Sequence, residues 1–321
     1  VPRYVAAATS KEKIMSASPA NVQVSARQVP WMKIGALTDD VLTTEEAVKQ
    51  GGLDFTVSFR AQQFATKEGG WKPTPKRFAL VRDDNEEYFE TTSETYSIFQ
   101  YTEAFSFMEG IGARYVAAGS LKGGRQGFVV GLLHDVNLSE LDTLDPHTLF
   151  LVFRASHNKT RAIEVAMMPL RGKCMNQLTM HNMLMEAQQR WAVPHIGNVK
   201  KKIEIAFETV ALSNAYAKSY VESVQRLADI PLSTSQGRQI LTKVIRKSPK
   251  QDEAIEKIVD MWQHDDTIGF STKGWGLVNA VSSYFDWERQ GGTAESRFIG
   301  ALAGQTRNAI ERTSNLVLRS N

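Results

Sequence analysis

The sequence predicts an α+β fold, with an antiparallel β-hairpin-rich N-terminal half that contains an intervening helix, followed by a helical C-terminal half. Three observations carry that expectation. Before residue 175, apolar residues tend to alternate in short runs that flank turn-forming clusters. From Asn176 onward they recur at helical spacing. The change falls near Cys174 with no Pro/Gly/Ser-rich linker, so the two halves are expected to pack together. The expected organisation is an N-terminal arm over 1–29, a hairpin-rich α+β region over 30–175 and a helical region over 176–321.

Residues 1–30 are rich in Ala, Ser, Thr and Lys with little periodicity, which predicts an arm that is disordered or ordered only against a neighbouring copy. Thr43 with Glu46 forms a capping-box pattern and Gly51-Gly52 a stop, so a short helix is expected over 44–50. Leu53, Phe55, Val57 and Phe59 then alternate as in a half-buried strand. Segments 77–81 and 87–91 flank Asp83-Asp84-Asn85, the turn chemistry of a first hairpin. Ile98, Tyr101, Phe105 and Met108 mark a helix up to Gly110. A second hairpin joins 114–120 to 125–133 through Lys122-Gly123-Gly124, and a third joins 148–155 to 161–168 across His157-Asn158-Lys159. Helices are then expected over 176–191 and 198–228, with Pro231 as a break, and over 234–246, 249–263, 273–289 and 294–318.

With 42% hydrophobic and 23% charged residues, the chain can bury a large core without staples. Its single cysteine excludes an intramolecular disulfide and a four-cysteine zinc site. No apolar run approaches the ~20 residues that span a bilayer, and the opening residues lack a secretory core, so no membrane partner and a cytoplasmic location are expected. The formal charge of +3 is small, so nucleic acid would have to be held by local clusters of cations.

No catalytic residue, metal site or cofactor is expected. Gly119 to Gly124 followed by Arg125-Gln126 lacks the lysine and hydroxyl of a phosphate-binding P-loop. None of the six histidines pairs with another at metal-ligand spacing. There is no G-x-S-x-G elbow. Cys174 stands at a strand-to-helix junction, where a helix amino end could lower its pKa, but burial as a small apolar residue is the favoured account of it.

Basic residues do cluster. Lys200, Lys201 and Lys202 fall in the first turn of the longest expected helix, opposing its dipole at a cost of about 0.3 to 1 kcal/mol each when exposed. Phosphate binding or plain solvation would explain them. Arg114, Lys122 and Arg125 surround the second hairpin, and Arg154, Lys159, Arg161, Arg171 and Lys173 the third. Such arms could follow a nucleic-acid backbone, with Tyr115 and Phe128 offering rings for base stacking. The competing explanation is that these charges protect strand edges from aggregation.

An ordered series of segments carries a resemblance. Pro30-Trp31-Met32-Lys33-Ile34-Gly35, Asp40 to Thr43 with Glu45-Glu46-Ala47, and Gly52 to Val57 look like the opening of a phage/plasmid-like protein family of unknown function, domain of unknown function 932. Ala118 to Leu121, Ala155-Ser156-His157-Asn158, Arg171 to Leu178 around Cys174 and Asn176, His195, and Trp275 to Val281 resemble its later motifs. Asn158-Lys159 stands where Asp-Gly is common and Gln177 where Thr is common, which removes a possible metal ligand or base beside His157. The resemblance implies a bacterial host cytoplasm and no established reaction. The hairpin and helix layout also resembles, in arrangement only, phage single-strand annealing recombinases, which form rings or helices and pair strands without ATP. The function expected is therefore binding and annealing of single-stranded nucleic acid, DNA in the first instance, by a homo-oligomer. The alternative is an assembly or host-interaction protein that binds no nucleic acid.

Overall fold

The computed structural model describes residues 36–37, 42–110, 113–132, 138, 141, 144–160, 163–171, 176, 178, 190–193, 200–266 and 268–320. The arm expected over 1–29 lies outside them. The layout is α+β, with antiparallel sheets in the N-terminal half and helices dominating the C-terminal half.

Helix α1, Thr44–Gln50, begins at the expected capping box: Thr43 accepts from the Glu46 amide while the Glu46 carboxylate accepts from the Thr43 amide. The larger sheet has six antiparallel strands, β1 (Ala36–Leu37), β5 (Arg114–Leu121), β6 (Gln126–Leu132), β7 (His147–Ser156), β8 (Ile163–Arg171) and β9 (Arg190–Val193), paired in the order β1-β5-β6-β7-β8-β9. Its two inner hairpins, β5–β6 and β7–β8, are the second and third of the sequence, in nearly the expected bounds. The smaller sheet pairs β2 (Val57–Ala65), β3 (Trp71–Arg82) and β4 (Tyr88–Ser93). Between β4 and β5 lie α2 (Tyr101–Phe105) and α3 (Phe107–Gly110). The single helix expected there is interrupted at Ser106, whose hydroxyl donates to the Glu103 carbonyl, as short polar side chains do when they compete with the helix ladder.

The helical half comprises α4 (Lys200–Asp229), α5 (Thr234–Val244), α6 (Gln251–His264), α7 (Gly274–Ser283), a π-helical turn (Tyr284–Glu288), α8 (Ala294–Ala303) and α9 (Gln305–Leu318). Three expectations change here. The helix over 176–191 does not extend to its end, because Arg190–Val193 pairs with Ile163–Ala166 of β8; Trp191 and Val193 suit an extended edge strand. Residues 179–189 lie outside those described. Helix 273–289 widens into the π turn, closed by the Arg289 amide on the Tyr284 carbonyl at 2.7 Å. Helix 294–318 breaks at Gly304, which lets α8 and α9 serve different surfaces.

The four central strands of the larger sheet, β5 to β8, are buried on both faces. One face, through Tyr115, Val129, Leu151, Phe153 and Met167, joins a core that continues into α4, α5, α6, α7 and α9, with Trp262 and Trp275 wholly buried. The other face, through Val116, Phe128, Val130, Phe150 and Met168, packs on Phe298 and Leu302 of α8. Strands buried on both sides lose the strict alternation of a half-wet strand, and that decides where their charged residues end up.

Candidate nucleic-acid interface

The expected cations separate into three groups. Arg154 and Arg171 are buried in the large sheet. Arg154 sits directly across the β7–β8 ladder from Glu164 and pairs with it at 2.6 Å. Arg171 donates through Nε to Asp145 Oδ2 at 2.6 Å. Arg114 is 9% exposed at the start of β5. Burial of a charge demands a partner, so neither Arg154 nor Arg171 is presented to a polyanion. The expected stacking rings are internal as well. Tyr115 is buried, with its hydroxyl 2.7 Å from Thr44 Oγ1 and donating to the Phe105 carbonyl at 3.0 Å. Phe128 packs against Phe298 with ring centres 4.7 Å apart. Neither ring offers a face to a base.

A second group lies beyond the description: Arg161 and Lys173 are outside the described residues, as is Cys174, and Lys200, Lys201 and Lys202 form the first turn of α4 with their side chains undescribed. The third group, Lys122, Arg125 and Lys159, is brought together. All three stand on hairpin tips that abut β4. Arg125 donates to the Tyr88 carbonyl at 3.0 Å and pairs with Glu87 at 2.7 Å, and Lys159 Nζ donates to the Thr91 carbonyl. At the tip, Lys122, Gly123 and Gly124 all have positive φ, and a Cβ on Gly124 would lie 2.9 Å from Phe55 Cζ. The Lys122 amide donates to the Glu295 carboxylate at 3.1 Å.

The motifs noted in the sequence meet inside the molecule. Asp145 Oδ2 accepts from Arg171 Nε and, at 2.7 Å, from Trp275 Nε1. Asn176 donates to the Asn279 carbonyl at 3.1 Å and accepts from Trp287 Nε1 at 3.2 Å, and Asn279 donates to the Trp275 carbonyl. His147 lies beside Asp145 and the rings of Tyr220 and Trp275; burial pushes its imidazole down to about 4, against the pull of the Asp145 carboxylate. This network joins sheet to helices. His157 is buried among Phe55, Phe89 and Tyr101, with the Tyr101 ring 4.3 Å away, and its amide donates to the Arg125 carbonyl. Among the described residues no group of three His, Cys, Asp or Glu could hold a metal. No helix is long and apolar enough to cross a membrane, again among the described residues.

Among the described residues, a further accessible basic and aromatic feature is one the sequence pattern obscured. Strands β2 and β3 form a hairpin whose residues from 59 to 77 are all exposed or half-buried, while its base, Val57 and Leu80, sits in the core. Nine residues at about 3.3 Å each give β2 a length of roughly 30 Å. The turn is held by the Thr66 amide on the Gly70 carbonyl at 2.7 Å. Along this arm Arg60, Lys67, Lys72, Lys76, Arg77 and Arg82 face a single acid, Glu68. Arg60 is paired with Asp83, Arg82 with Asp84 and Lys76 with Glu94. Lys67, Lys72 and Arg77 have no ion-pair partner among the described residues. Interleaved with them are Phe59, Phe64 and Trp71, the last 69% exposed. Phe64 stands directly opposite Lys72 and Ala65 opposite Trp71, so ring and cation share a face. The signal available in the sequence was Trp71-Lys72 followed by Lys76-Arg77, after the turn residues Gly69-Gly70.

One family matches the chain, described as a domain of unknown function (DUF932), over residues 88–317. The match begins at β4, so the arm precedes it. No curated protein and no solved structure matches.

Proposed function

The chain belongs to that DUF932 family, a membership that assigns no reaction, and we propose from its surface that it binds single-stranded DNA and anneals complementary strands in phage-type recombination or replication, as an ATP-independent oligomer in the bacterial cytoplasm. The observation that carries this proposal is the β-arm, where exposed rings lie among cations that have no ion-pair partner among the described residues. Cations neutralise phosphates without reading sequence, and rings stack on bases whose faces are open, which is the case in single strands and not within a duplex. The arm therefore favours unpaired strands.

The test is anisotropy of a labelled oligo-dT across a salt series. Replacing Lys67, Lys72 and Arg77 together by Glu should weaken binding at low salt and flatten the log–log salt slope by about 2, at roughly 0.7 per lost phosphate contact. An unchanged slope, or no binding by the unaltered protein at low salt, would remove the proposal.

A second reading rests on a different observation. The outer edge of β2 is unpaired among the described residues, and Phe64 and Trp71 beside it are large exposed apolar groups. The arm could then be an assembly contact with no role in nucleic-acid binding. Light scattering of a Phe64→Ser, Trp71→Ser variant separates the two: a lost oligomer with retained strand binding favours assembly.

A further inference from the structure

We propose that a cavity in the helical half, away from the β-arm, is a binding site for a nucleoside phosphate. It lies between the carboxyl end of α5, the first turns of α6, the π turn and α9, and encloses about 450 Å³. That volume falls in the range of small-molecule sites, roughly 300 to 1,000 Å³.

Its charge selects an anion. Arg246, Lys250, Lys257, Arg289 and Arg312 line it, against Glu253 and Glu288. Lys257 is spent on Glu288 at 2.9 Å, which leaves four cations facing one carboxylate. Two of the four are held in place: Arg312 donates to the Lys243 carbonyl at 2.6 Å, and Arg289 donates to Gln305 Oε1 at 2.7 Å while lying over the Phe285 ring. Fixed guanidinium groups bind an anion without the entropic cost of ordering it at the moment of contact. Arg246 and Lys250, exposed at the rim, make no ion pair among the described residues.

The floor selects a flat ring. Val244, Ile245, Ala254 and Ala309 supply apolar surface, and Tyr284 and Phe285 stand perpendicular with centres 5.5 Å apart. Both rings come from the π turn, a widened helical segment of the kind found at functional sites. Arg289 covers Phe285, so Tyr284 is the ring available for stacking. Gln290, Gln305 and Asn308 offer amide donors and acceptors to the edge of a heterocycle. A bare phosphate would leave the apolar floor unused and a neutral ring would leave four cations unanswered. A base, its sugar and a phosphate satisfy both.

The experiment is calorimetric titration of the full chain with AMP, adenosine and inorganic phosphate. AMP should bind at least tenfold tighter than either fragment. Arg246→Glu with Lys250→Glu should weaken AMP at least tenfold with an unchanged melting temperature, and the milder Arg312→Gln alone should weaken it measurably if the double variant does not fold. AMP binding no tighter than phosphate alone, or insensitive to these substitutions, would overturn the proposal. Competition by a 5′-phosphorylated oligonucleotide but not its 5′-hydroxyl counterpart identifies a strand end as the ligand's source, and failure of both to compete identifies the free nucleotide. The Lys67, Lys72, Arg77 triple variant should leave AMP affinity unaltered, so failure of the arm and failure of the cavity are told apart.

Discussion

Asp145 takes two donors on one oxygen, from Arg171 and from Trp275, in a place where none of the three side chains reaches water. Removing one partner of such a pair strands the other charge, so Arg171→Ala should cost about 3 to 5 kcal/mol, seen as a fall in urea midpoint. His147 gives a pH signature. Its folded pKa is depressed to about 4 while the unfolded chain titrates near 6.5, so the unfolded state takes up the proton first. Stability is untouched above about pH 6.5, declines as pH falls toward 4, and should lose about 3 kcal/mol across that window. His147→Gln should flatten the decline in urea midpoints measured between pH 7.5 and 4.5. At this scale the sequence misleads for a physical reason. An arginine in a strand reads as solvent-facing, and here both sheet faces are buried. Glu164 standing opposite Arg154 in the hairpin register was the legible sign that the pair would go inside together.

The β-arm shows what an element can hide. Its period-two pattern is interrupted by a register shift between Ala61 and Gln63, and Pro73 and Pro75 argue against a strand. Both prolines are tolerated because β4 pairs with β3 only from Arg77 to Val81, so near the tip the arm is a two-stranded ribbon and β3 has a free side. The anchoring residues Leu53, Phe55 and Val57 were legible, as were the hairpins on either side of the Lys122 tip. Since nothing from 59 to 77 is buried, replacing residues 61–75 by a short Asn-Gly turn should shift the melting temperature by only a few degrees, while strand binding at low salt should drop at least tenfold. A large loss of thermal stability would show that the arm is a structural member of the core and not an appendage.

Across the whole molecule, one face of the sheet shares its apolar core with the helices, and the polar links from Asp145 to Trp275 and from Asn176 to Asn279 cross between them. Tryptophan fluorescence and far-ultraviolet dichroism should therefore report coincident urea midpoints; separated midpoints would mean two independently stable cores. The class of fold was readable because turn chemistry and helical periodicity are local properties. The assembly of distant motifs into a buried joint was not, since it depends on which strand faces which helix. Residues such as Trp275 and Asn279 announce themselves in sequence without saying whether they touch a ligand or each other.

The smaller sheet has unequal margins. Two carbonyls of β4 are already occupied by Arg125 and Lys159, whereas β2 has no strand on its outer side among the described residues. A ribbon with one sealed and one open side can recruit a single further strand, and two identical molecules joining there consume both vacancies at once. Growth by this route halts at a pair, so any larger ring or filament of this protein must be closed by contacts elsewhere on its surface.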